Sequence, residues 1–253
     1  MPDGKLLFVV AVFALAGLVK GVIGLGLPTI SMGLLALAMP PLQAAAILVL
    51  PSFLTNVWQM LAGPALRTVA LRLWPMMLGI CLGTWLGAWL GDWLGVGLNE
   101  TDARYSGALL GAALAAYAAT GLASIRFALR RAREPWAGPA AGVLTGLIAS
   151  ATGVFVIPAV PYLQAIGLEK EDLVQALGLS FTVSTLALTV NLARAGALNV
   201  ALAGPTFSAL AAAGAGMWLG QSLRARLPPQ MFRRCFFGGL LLLGAYLVAR
   251  AFL

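Results

Sequence analysis

Long apolar runs, cut by short polar segments, organise this chain. They cover residues 6–39, 42–61, 73–98, 105–125, 136–166, 173–192, 200–219 and 231–253. Each run is continuous, whereas strands of a membrane barrel alternate. A helix satisfies its own backbone groups in lipid and needs about 20 apolar residues to cross. The pattern predicts an all-α polytopic membrane protein.

Two runs have awkward lengths. Residues 6–39 are too many for one span and few for two spans with a loop. Lys20-Gly21 and Gly24-Leu25-Gly26-Leu27-Pro28 interrupt them. Residues 136–166 are interrupted near Ser150, Thr152, Gly153 and Pro158. Glycine and proline break helices at such points. The expectation is two broken helical hairpins with tips inside the membrane, the competing reading being two closely spaced full spans. Six single helices follow from the remaining runs.

A shift of 129 residues aligns the two parts of the chain. Gly24 falls on Gly153, Gly91-Asp92-Trp93-Leu94 on Gly220-Gln221-Ser222-Leu223, Arg104 on Arg233 and Tyr117 on Tyr246. With one inserted residue, Pro28 falls on Pro158 and Thr55 on Thr185. A constant offset over several segments indicates duplication. Residues 1–125 form the expected first repeat, with hairpin 6–39 and helices 42–61, 73–98 and 105–125. A basic linker, 126–135, precedes the second repeat, 136–253, with hairpin 136–166 and helices 173–192, 200–219 and 231–253. Three spans follow each hairpin, so the second copy enters with opposite orientation. The fold class is therefore two inverted repeats, each a broken helical hairpin followed by three transmembrane helices, an architecture of secondary transporters.

Composition agrees. The chain is 61% hydrophobic and 9% charged, against about 25% charged in soluble domains. That excludes a water-soluble globule, disorder and a coiled coil. The net charge of +8 reads as topology, with no sign of a nucleic-acid partner. Arg67, Arg72, Arg126, Arg130, Arg131, Arg133, Lys170, Arg224, Arg226, Arg233 and Arg234 fall on one side, and Lys5, Arg104, Arg194 and Arg250 on the other. By the positive-inside rule the larger set is cytoplasmic and both termini are periplasmic. Lys5 ahead of residues 6–18 superficially resembles a signal peptide, but apolar sequence continues to Met39. The expectation is a retained membrane segment.

Absences limit the chemistry. There is no His, and Cys81 and Cys235 lie in apolar runs, so no disulfide framework, metal site, cofactor or catalytic residue is expected. The carboxylates lie at the ends of apolar runs or in loops, which leaves no buried acid/base pair and no evident proton relay.

Binding residues are expected at the tips and on the helices that follow them. Lys20 is the only charge well inside an apolar run. It needs water, a partner or a ligand there, and an anion is the natural one; the bland alternative is that it snorkels to the headgroups. Gly24 and Gly26 expose backbone N–H groups, and Pro28 suits a helix start. The second tip offers Ser150, Thr152 and Gly153. Ser52, Thr55, Asn56 and Gln59 share one helix face. Gln175, Gly178, Thr182, Thr185 and Thr189 share another, with Ser180 and Ser184 beside it. Helix–helix hydrogen bonding is the plain reading of single hydroxyls. Two stripes next to two broken hairpins are read as lining a cavity. Gly79, Gly83, Gly87, Gly91 and Gly95 recur every four residues beside a Trp85, Trp89 and Trp93 ridge. That face packs closely against a helix of this chain, a homodimer mate or a scaffold partner.

The segment KGVIGLGLPTISMGLLAL and its weaker echo ASATGVFVIPAVPYLQAI resemble the TauE/SafE, or toluene sulfonate uptake permease, family. The resemblance covers nearly the whole chain. It implies a secondary transporter of sulfite, sulfoacetate or other organosulfonates in the bacterial inner membrane, with Lys20, Gly24, Gly26 and Pro28, then Ser150, Thr152, Gly153 and Pro158, as candidate residues. Ser150-Ala151-Thr152-Gly153-Val154-Phe155 departs from the glycine-rich pattern, so the tips are not expected to act equivalently. The rival reading is a membrane scaffold using the glycine face.

Overall fold

The computed structural model describes residues 3–94, 98, 103–123, 128–224 and 229–252. Gly95, Glu100, Asp102, Ser124, Ile125, Arg126, Arg226 and Leu253, which fall within the runs, repeats and charge sets above, lie outside the described residues, as do the side chains of Arg104 and Tyr105. Among the described residues the protein is helical with no strand. The helices are α1 (Asp3–Ile23), α2 (Leu27–Leu35), α3 (Pro41–Leu61), α4 (Leu66–Leu94), α5 (Ala103–Leu122), α6 (Glu134–Thr152), α7 (Ala159–Ala165), α8 (Lys170–Arg194), α9 (Ala203–Leu223) and α10 (Pro229–Phe252). Among the described residues, six helical segments are long and apolar enough to cross a membrane: Gly4–Ile23, Pro41–Leu61, Leu66–Leu94, Lys170–Arg194, Val200–Leu223 and Gln230–Phe252. This is a multi-pass membrane protein.

Both long runs are broken, each into a long arm and a short one. α1 and α2 meet at Gly24 (φ 80°) and Gly26 (φ 110°). α6 ends at Gly153 (φ 70°), whose N–H donates to the Ala149 carbonyl at 2.8 Å. These left-handed conformations stop a helix at little cost only where the residue is glycine. The short arms, α2 with 9 residues and α7 with 7, reach about 14 and 11 Å at 1.5 Å per residue. A hydrocarbon core is about 30 Å thick, so neither short arm spans it.

Element ends differ from the apolar runs. α4 starts at Leu66 rather than 73, because Arg67 and Arg72 continue the helix; hydropathy records solvent, while Arg is a good helix former. α8 likewise takes in Lys170 and Arg194. α5 covers Ala103–Leu122, 20 residues.

Two glycine seams hold the structure together. In the α1–α9 pair, a Cβ at Gly17 would strike the Ala213 carbonyl, and one at Gly21 the Met217 carbonyl. From the other side, Gly216 meets Ala14 and Gly220 meets Leu18. In the α4–α6 pair, Gly79 meets Pro139, Gly83 meets Val143, Gly142 meets Met76 and Gly146 meets Ile80. Both pairs run parallel, backbone against backbone. The face expected to accept a partner is thus occupied inside the chain at Gly79, Gly83 and Gly87. α5 and α10 pack antiparallel through Gly111 and Gly244. α3 and α8 pack antiparallel as well, with Gln59 reaching Val174 and Ser52 reaching Thr185.

Candidate functional site

Lys20 lies one turn before the broken end of α1. Its side chain points across to α3, because Gly21 and Gly17 occupy the seam with α9. It is 2% exposed, so it does not snorkel. Nζ donates to Thr55 Oγ1 at 3.1 Å and to Asn56 Oδ1. Both acceptors are neutral, and no carboxylate is among its partners in the described residues. An ammonium carries three donors, so two are engaged.

Asn56 links this cation to α8. Its Nδ2 donates to Ser52 Oγ at 3.1 Å and to Thr185 Oγ1 at 3.3 Å. Ser52 Oγ and Thr185 Oγ1 are 3.3 Å apart. Thr185 donates to the Phe181 carbonyl at 2.6 Å, and Thr55 to the Pro51 carbonyl at 2.7 Å. Pro51 sits inside α3 and has no N–H of its own. All of the polar side chains in this group are buried.

The polar stripes therefore meet each other directly. A cavity was expected between them, and hydrogen bonds fill that place at Ser52, Asn56 and Thr185. The reason is geometric: α3 and α8 approach closely, with Gly178 against the Met60 backbone. Gln59 Nε2 ties the first tip to α8, donating to the Gly24 carbonyl at 2.9 Å and the Val174 carbonyl at 3.0 Å. Its Oε1 is buried with no partner.

Other expected residues serve the fold. Gln175 caps the end of α3: Nε2 donates to the Met60 and Gly63 carbonyls, each at 2.7 Å, and Oε1 accepts from Ala65 N at 3.0 Å. Thr182 donates to the Gly178 carbonyl at 2.7 Å. At the second tip, Thr152 donates to the Ile148 carbonyl at 2.7 Å and accepts from Val154 N at 3.2 Å. Gly153 faces Met32 of α2, and Ser150 donates to the Leu147 carbonyl at 2.8 Å. No hydrogen bond joins this tip to Lys20 among the described residues. Gly26 caps the start of α2, where the Gly26 carbonyl accepts from Thr29 at 2.8 Å.

Two groupings were not expected from the sequence. At the end near Gln175, Arg72 makes a two-pronged pair with Glu134, at 2.9 and 2.7 Å, and donates to the Ile166 carbonyl at 3.0 Å. It thereby ties α4, the start of α6 and the end of α7. Its hydrogen bonds hold the Glu134 carboxyl below the usual carboxylate range. At the other end of the bundle, a cavity of about 460 Å³ lies between α4, α8 and the second hairpin. It includes Trp85, Trp89, Asp92, Ser150, Asn191 and Arg194. Its α8 side reaches Leu188, one turn beyond Thr185.

A family model described as "Sulfite exporter TauE/SafE" matches residues 9–247. No curated protein and no solved structure matches the chain.

Proposed function

Because the chain belongs to the sulfite exporter TauE/SafE family, a family of membrane transporters rather than enzymes, we propose that it moves small sulfur-containing anions across the bacterial inner membrane by alternating access. Sulfite, sulfoacetate and other organosulfonates are the candidate cargo. The observation that carries this reading is Lys20, a buried cation beside a broken helix whose partners are all neutral. A charged side chain at membrane depth costs about 3 kcal/mol or more unless something compensates it. An oxyanion supplies that compensation, and the N-terminal end of α2 adds favourable potential near the same tip.

In this reading Thr55 and Asn56 hold Lys20 while no anion is bound. The anion displaces one of them and takes charge-assisted hydrogen bonds from the ammonium. Ser52 and Thr185 turn their hydroxyls to it. Gln59, Gly24 and Gly26 shape the first tip. Thr152, Gly153, Gln175 and Thr182 act by holding the surrounding backbone.

The inverted-repeat reading is supported by paired contacts. Gly17 against Ala213 has its counterpart in Gly146 against Thr84. The α1–α9 seam then corresponds to the α6–α4 seam, while α3–α8 and α5–α10 each map onto themselves. Alternating access exchanges the two arrangements. With the arginine-rich side cytoplasmic, the Arg72–Glu134 clamp and Gln175 close the inner end, and the cavity at Asp92 and Arg194 opens outward. The scaffold reading is weaker, because Gly79, Gly83 and Gly87 are spent on α6.

Purified protein in liposomes tests the proposal, with labelled sulfite and sulfoacetate and with the proton gradient present or collapsed. Anion flux that disappears in Lys20→Met supports it. Flux of neither anion, or equal flux through Lys20→Met, overturns it.

A further inference from the structure

The cavity at the outer end carries chemistry that the Lys20 site does not use. Asp92 and Arg194 both line it, yet neither makes an ion pair among the described residues. Asp92 stands near the end of the described part of α4. The fold gains nothing visible from it. Gln221 stands where Asp92 falls in the other repeat, and Pro64 where Arg194 falls, so the architecture does not require the two charges. Asn191 spends its Nδ2 on the Thr84 carbonyl at 3.0 Å, which leaves its amide oxygen as an acceptor. Trp85 and Trp89 also line the cavity, and indole faces attract cations.

From this we infer that the outer cavity is a binding site for a small zwitterion, an ammonium and an oxyanion joined by a short spacer. Asp92, the Asn191 oxygen and the indoles take the ammonium. Arg194 takes the oxyanion. About 460 Å³ lies within the range of small-molecule sites. A simple anion satisfies only Arg194 and meets repulsion from Asp92. The ligand's charges can come from a free solute or from a phosphoethanolamine headgroup, since the walls include tryptophans of a membrane-exposed ridge.

The probe is 2-aminoethanesulfonate, titrated calorimetrically into full-length Lys20→Met protein in phosphatidylglycerol nanodiscs, a background in which the transport site has lost its cation, with ethanesulfonate and ethylamine as half-charge controls. Binding of the zwitterion alone is expected. It weakens by about tenfold or more in Asp92→Asn and Arg194→Gln, the scale of losing one charge-assisted contact. Because the Lys20→Met background carries this binding, it is separate from the transport site. A second arm compares melting temperatures in phosphatidylethanolamine and phosphatidylglycerol nanodiscs. A gain in phosphatidylethanolamine that vanishes in Asp92→Asn, without a titration signal, assigns the site to a headgroup. Equal binding by ethanesulfonate in the Lys20→Met background, or no dependence on Asp92 in either arm, overturns the inference. Both mouth variants keep their helices, which circular dichroism checks.

Discussion

Asn56 Nδ2 donates to Thr185 Oγ1 at 3.3 Å, and Thr185 is the residue that aligns with Thr55, the neighbour of Asn56 on α3. The same side chain accepts from Lys20. One amide therefore joins the buried cation to the contact between α3 and α8. Replacing it with a carboxylate supplies Lys20 with an internal counter-ion. Asn56→Asp is expected to fold with a melting temperature at or above that of the native protein and to lose sulfonate binding. Calorimetry and thermal melting on one preparation check both. Retained affinity would contradict the role given to Lys20.

Lys20→Met keeps the length of the side chain and removes its charge. A buried charge replaced by an apolar group of similar volume is often neutral or stabilising. The melting temperature should hold, while anion affinity falls about tenfold or more, the scale of one hydrogen bond to a charged group. Lys20→Arg should restore part of the binding and little of the transport, because a guanidinium does not fit where Thr55 and Asn56 clasp an ammonium.

The seams predict a contrast between two glycines. A Cβ at Gly146 would strike the Ile80 backbone, whereas one at Gly214 would meet nothing within 4 Å. Gly146→Ala should destabilise by about 1–3 kcal/mol through overpacking. Gly214→Ala should be neutral or stabilise by up to about 1 kcal/mol through helix propensity. Thermal melting in detergent, with expression yield as a second readout, distinguishes them.

The Arg72–Glu134 pair predicts a pH dependence with a definite sign. Pairing holds the Glu134 carboxyl below its usual range. Its contribution is present above the ordinary glutamate range and is lost as the pH falls through the lowered value. Glu134→Gln should melt below the native protein at neutral pH, and the gap should close in acid. A gap that is constant down to about pH 3, well under the ordinary carboxylate range near 4.3, would show that the pair does not act through charge.

Much of the architecture was legible because the bilayer reduces choice. Continuous apolar runs admit only helices, and Gly24, Gly26 and Gly153 mark the breaks. Lys20 stood out because a lone cation in such a run has a cost that must be met somewhere. Partners were harder to read. The periodicity of Gly79, Gly83 and Gly87 announces a close contact without naming α6 as the other side. Gln175 looked like a ligand-facing amide, and only the position of the α3 end shows it to be a cap. Arg72 was absorbed into a count of cytoplasmic charges, although it grips Glu134 and Ile166. Asp92 and Arg194 are remote in sequence, and only the shared cavity brings them into one view.

The seams also bear on how the protein is made. α1 is covered by α9, and α4 by α6, so each close-packed pair joins an early helix to a later one. During synthesis from the N-terminus, α1 enters the bilayer with its glycine face bare and waits for nearly the whole chain before its mate emerges. Neither half can complete its own packing. Two fragments severed in the 126–135 linker must therefore find each other in the same membrane before either attains its native contacts.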